Sequence, residues 1–239
     1  MSTVHGGPGN IVTSGLVLNL DAANPRSYPP PYNGTTWIDL SRNGNNGVLT
    51  NGPVFNSTNG GVFVFDGVDD FVSVSDNSTI NGTSQTISVW FKNSGTYATG
   101  NQAAEIIGKH NAVGSFNGYG IQLVNDFGNI KVSAFVKNAT VNYVTLNSTQ
   151  IISSLNWYNA TITFTSNSQI ILYLNGISIL SRATGLLTNS TQPLRIGQSN
   201  DLFFNIYNGS VAQTLVYNRV LTASEVLQNY NATRARFGI

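Results

Sequence analysis

A chain of 239 residues that is 41% hydrophobic, only 9% charged and of formal net charge +1 is long enough to bury a large core and lacks the clustered cations that grip nucleic acid. It has no cysteine, which excludes a disulfide framework and thiolate metal ligands. No run approaches the ~20 apolar residues of a membrane span, and Met1 to Gly9 show neither the basic start nor the apolar run of a secretory signal, so synthesis in a cytoplasm is expected, with no nucleic-acid or membrane partner.

Residues 1–13 read as an extended Gly- and Pro-bearing arm, ahead of a single domain over 14–239. The first strand signal is Gly15 to Leu20, closed by Asp21. A loop from Ala22 to Thr36 holds Tyr28-Pro29-Pro30-Pro31-Tyr32. Its prolines cannot donate to a ladder, so it leaves the sheet, either as a docking patch or as cover for a sheet edge. Ser41 to Gly47 is rich in turn residues, and short strand signals then recur at 62–65, 71–75, 86–91, 119–124, 130–136, 141–146 and 157–164. Asn175-Gly176 between apolar runs 170–174 and 177–180 predicts a two-residue hairpin, because both residues tolerate positive φ. Strands at 194–197 and 211–217 close the series. Many short alternating strands predict an all-β, two-sheet antiparallel sandwich, one face of each sheet buried. One short C-terminal helix is marked. Thr222 and Glu225 form a capping box, Leu221 and Val226 a hydrophobic staple, and the helix should end near Ala232 or Thr233.

Residues able to carry chemistry are few. There are ten carboxylates and two histidines. No strand signal carries the Glu/Asp-x-Glu/Asp pair that places two acids across a sugar, and Asp39, Asp76 and Glu105 stand isolated. His110, beside Lys109, reads as an exposed loop histidine, so no enzyme is expected. Asp66-Gly67-Val68-Asp69-Asp70 is the densest acidic cluster. It reads as a tight turn between two strands, and it is also where calcium would bind through Asp66, Asp69 and Asp70, with no cofactor required. Of the tryptophans, Trp90 and Trp157 read as core, and Trp37, beside a loop, as more open. Arg234, Arg236 and Phe237 in the tail suit an interface, although Phe237 could equally pack on its own sandwich. The recurring Asn-x-Ser/Thr sequons follow from the abundance of Asn, Ser and Thr.

Several blocks resemble laminin-G-like, concanavalin A-like jelly-roll domains. Gly15 to Pro25 is similar to their opening, Trp37 to Gly47 to the next motif, Phe65 to Val72 to an F-D-G-x-D-D-Y-V block, and Gly209 to Val226 to the closing strand and helix. The Leu-Asp-Ala-Ala-Asn-Pro opening and the ending from Asn229 to Ile239 look like versions found in virion proteins of tailed bacteriophages. That resemblance implies a non-enzymatic virion component, as capsid decoration, cement or fibre. It would be trimeric, located in the virion, with other capsid subunits as partners. The alternative is a carbohydrate-binding adhesion module for host-surface glycans, which would show an exposed aromatic and polar cleft.

Overall fold

The computed structural model describes residues 10–95, 97, 103–111, 117–138, 142–154, 156–200 and 206–239. Two eight-stranded antiparallel sheets lie face to face. In the first, the spatial order is Ile177–Ala183, Gln169–Leu174, Tyr158–Thr165, Ser84–Asn93, Asn208–Tyr217, Val62–Asp66 and Val54–Asn56, with Leu16–Asp21 also pairing with Asn208–Tyr217. In the second it is Asn142–Ile151, Asn129–Asn138, Gly118–Asp126, Ala103–His110, Leu194–Ile196, Phe71–Val74, Gly47–Thr50 and Thr36–Trp37.

Alternation along the strands sets what lies between the sheets. Leu18, Leu20, Phe63, Phe65, Ile87 and Val89 from the first sheet meet Val72, Val74, Ile121, Leu123, Val132 and Ile196 from the second, all buried. Burying each such side chain is worth about 1.5–3 kcal/mol. The outer face of the first sheet carries apolar patches too, around Trp90 and Ala212 and around Tyr173 and Leu215, and the C-terminal segment packs on them. The helix Ala223–Thr233 has the expected capping box, in which the Thr222 hydroxyl accepts from the Glu225 N–H and the Glu225 carboxylate accepts from the Thr222 N–H. Leu221 and Val226 are buried beside Tyr173, Leu215 and Tyr217. The Asn175-Gly176 hairpin forms with φ of 52° and 77°, as a two-residue turn of this type requires.

Four short or irregular strands carried no readable pattern: Thr36–Trp37, Gly47–Thr50, Val54–Asn56 and Ala103–His110. The last holds a register shift between Glu105 and Ile107, so Ile106 and Ile107 both reach the core and the period of two is lost. Trp37, expected to be open, is fully buried against Phe63, ring centroids 4.7 Å apart. Trp90 and Trp157 are buried, but in the layer between first sheet and tail rather than between the sheets. Of the arm expected over 1–13, residues 1–9 lie outside the described residues. Val12 is buried, its N–H donating to Asn229 Oδ1 and its carbonyl accepting from the Tyr217 hydroxyl.

Candidate functional site

At the edge where Val54–Asn56 of one sheet comes near Thr36–Trp37 of the other, the Pro-rich loop folds over a groove of about 440 Å3. That volume falls within the range of ligand pockets. Its floor is a series of aromatic rings rising from the core. Phe63 is fully buried; Tyr28 packs on it edge-on at 4.8 Å, Phe55 lies 5.4 Å from Tyr28, and Tyr32 stacks on Phe55 at 4.4 Å and 10°. Burial raises the Tyr28 phenol above its ordinary pKa, and its hydroxyl donates to the Gly34 carbonyl. Tyr32 is 40% exposed and Val54 63%. Asn33, Thr35 and Asn51 add polar groups to the lining, and no lining residue is charged. Both rims hold residues at positive φ, Tyr32 at 60° and Asn51 at 63°, followed by Gly52 at 106°. A bulky side chain rarely adopts that conformation, and such strain gathers at functional sites.

The acidic turn adjoins the same groove. Asn51 Nδ2 donates to the Asp69 carbonyl at 3.0 Å, and a Cβ placed on Gly52 would lie 3.9 Å from Asp70 Oδ1. Within the turn, Asp66 Oδ1 accepts from the Val68 N–H and Asp70 Oδ2 from the Asp66 N–H. One carboxylate oxygen from each of Asp66, Asp69 and Asp70 lies within 4.8 Å of the others. Calcium takes about six to eight oxygens, so the trio offers roughly half of a coordination shell. Burial raises the Asp70 pKa, opposed by its bond to the Asp66 N–H and reinforced by the negative charges of Asp66 and Asp69. A second concavity, where Lys109, Tyr119 and Gln85 meet, has space for about 10 Å3, roughly one water.

The tail residues divide. Phe237 stacks on Trp90 at 4.2 Å and lies 4.8 Å from Trp157, so it packs on its own sandwich. Arg236 pairs with Asp21 at 2.7 Å and donates to the carbonyls of Asn59 and Gly61. Arg234 alone of the three is exposed at the surface.

His110 corrects the expectation of an exposed loop histidine. It ends the Ala103–His110 strand and is fully buried, as is Glu105. Its Nε2 lies 2.7 Å from Glu105 Oε2 and 3.1 Å from Ser199 Oγ, and Lys137 Nζ lies 3.0 Å from Nδ1. Serine, histidine and carboxylate are thus together, but not in working order. A hydrolytic triad needs hydroxyl and carboxylate on opposite ring nitrogens. Here both approach Nε2, and Lys137 Nζ approaches Nδ1, so hydroxyl and carboxylate share one ring nitrogen. Nor does any described strand carry two acids on alternate residues, the arrangement sandwich glycosidases use.

The described residues thus form a two-sheet β-sandwich with an aromatic groove at one edge. The Concanavalin A-like lectin/glucanases superfamily profile matches residues 66–227, more than half of the chain, and the protein belongs to that superfamily. No curated protein sequence matches it. Among solved structures it is similar to the binding domain of Paraclostridial Mosquitocidal Protein 1, with TM-score 0.68 and 18% identity over 91% of this chain and 52% of that one. It is similar to Domain 4 of AbnA, a GH43 extracellular arabinanase from Geobacillus stearothermophilus in complex with arabinotriose, with TM-score 0.67 and 15% identity over 91% and 98% of the two chains. A third is the botulinum neurotoxin serotype D ligand binding domain in complex with N-acetylneuraminic acid, with TM-score 0.66 and 15% identity over 92% and 51%. The chain spans about half of each toxin domain and nearly all of the arabinanase domain. At these identities the likeness is one of fold.

Proposed function

We propose that this protein is a carbohydrate-binding module whose site is the groove between the Pro-rich loop and the Val54–Asn56 edge. One observation carries the proposal: the stack Phe63, Tyr28, Phe55 and Tyr32 ends on an exposed tyrosine flanked by uncharged amides. An aromatic face carries negative charge density that attracts the C–H face of a sugar ring. Asn33 and Asn51 supply donors and acceptors for hydroxyls. The arabinotriose and N-acetylneuraminic acid complexes of two proteins of like fold support the reading. Calcium, if it takes part, belongs at Asp66, Asp69 and Asp70, at the end of the groove.

The test is a glycan array probed with the unmodified protein and with Tyr32→Gly, which removes the ring and relieves the positive φ. The variant should stay folded and weaken binding about tenfold or more, about 1.4 kcal/mol or more, as loss of an anchoring aromatic does. Undiminished binding would place the site elsewhere.

A second reading keeps the protein as a virion component, trimeric and in contact with capsid subunits. It rests on the resemblance of the opening, Leu20 to Pro25, and of the ending, Asn229 to Ile239, to phage proteins. Mass spectrometry of purified phage particles would test it; absence of the chain from all of them would remove it.

A further inference from the structure

Resting on the glycan reading, we propose that the groove selects neutral sugars and discriminates against glycans bearing carboxylate or sulfate. The selectivity follows from what surrounds the exposed ring. A sugar anion held in a partly dry groove loses hydration, and only a charge-assisted donor such as Arg or Lys replaces it well. Among the described residues the groove has no such donor: Tyr32, Asn33, Thr35, Asn51, Val54 and Phe55 are all uncharged. Arg26, the cation nearest in sequence to the Pro-rich loop, is exposed and lies outside the lining. Several cations elsewhere on the sandwich are engaged. Lys109 Nζ is bonded to Asp76 and to the carbonyls of Ser190 and Gln192, Arg236 to Asp21, and Arg219 to Glu225.

The charge bordering the groove at its Asn51–Gly52 rim is negative. The Asn51–Gly52 rim is joined to the acidic turn by the Asn51-to-Asp69 bond, and the carboxylates of Asp66, Asp69 and Asp70 converge there. An anionic sugar at that end would lie near the like charge of the acidic turn and find no counter-charge along the described walls. A neutral sugar meets neither problem, because amides and a phenol satisfy hydroxyls without net charge.

The experiment uses the full chain and glycan pairs that share a backbone, with and without a terminal N-acetylneuraminic acid or a sulfate. Arabinotriose and free N-acetylneuraminic acid serve as simple calorimetric probes. Neutral members should bind about tenfold or more tightly than their acidic partners, with a gap that narrows as salt screens the acidic turn. Val54→Lys, at an exposed lining position with no hydroxyl to bind, and, independently, Asp69→Asn should each raise the ratio of acidic to neutral affinity about threefold or more. A structural defect would lower both. Equal or tighter binding of the sialylated members by the unmodified protein overturns the selectivity and leaves the glycan reading intact. A folded protein that binds no glycan overturns both.

Discussion

A tyrosine held at φ 60° carries backbone strain of about 1–3 kcal/mol. Tyr32 keeps it while leaving 40% of its surface in solvent, which suits a ring held for contact rather than for packing. In Tyr32→Gly, relief of strain should offset the lost stack on Phe55, itself about 0.5–1.5 kcal/mol, so urea midpoints should barely move. A loss of several kcal/mol would make Tyr32 a structural residue. Glu225 allows a sharper residue-scale prediction. Its hydrogen bonds to Arg219, reinforced by the Thr222 N–H, lower its pKa to about 2. A depressed folded pKa gives stability that is present above the ordinary carboxylate value and lost as pH falls toward 2. Glu225→Gln should therefore flatten the stability profile over that acid range and leave its shape near pH 7 unchanged. Thr222→Ala should cost about 1 kcal/mol through the lost cap. Some of these residues were legible because their partners are three positions away. The buried pair Glu105 and His110 was not. In a regular strand, residues five apart face opposite sides, and only the bulge after Glu105 turns both to one face. Trp37 misled for a related reason: it sits in a two-residue strand amid loops, and its burial comes from Phe63 on the opposite sheet.

Among the elements, hairpins follow their turn chemistry. Gly176 sits at φ 77°, and a Cβ there would lie 3.0 Å from Leu227 Cδ1 and Tyr230 Cβ of the covering helix. Gly176→Val should destabilise by more than about 1 kcal/mol, from strain and from crowding under the helix. An unchanged melting temperature would contradict this. Asp66 to Asp70 is both a well-bonded turn and a trio of convergent carboxylates. Any calcium-dependent rise in melting temperature should vanish in Asp69→Asn with Asp70→Asn; a rise that persists puts the ion elsewhere. Half of the groove could be read beforehand, from the Tyr28–Tyr32 loop. The other half, Asn51 to Phe55, belongs to a three-residue edge strand behind a proline, too short to show a period.

The sandwich was foreseeable for the whole molecule because alternation repeats along so many strands that local errors average out. What the pattern could not convey is the third layer, in which helix and tail close over the outer face of the first sheet. Phe237 fills that layer against Trp90 and Trp157. Phe237→Ala should cost about 3 kcal/mol or more. Val12 caps the other end of the layer through Asn229 and Tyr217, so removal of residues 1–13 should lower the melting temperature. Trimerisation is read by sedimentation equilibrium, where a monomer at high concentration would count against the virion reading. The most direct test of the groove as the binding site is a backbone amide NMR titration with a neutral oligosaccharide taken from the array. Shifts should gather at Tyr32 to Thr35 and Asn51 to Phe55. Shifts gathered instead around Glu105, Gln122 and Lys137 would contradict it.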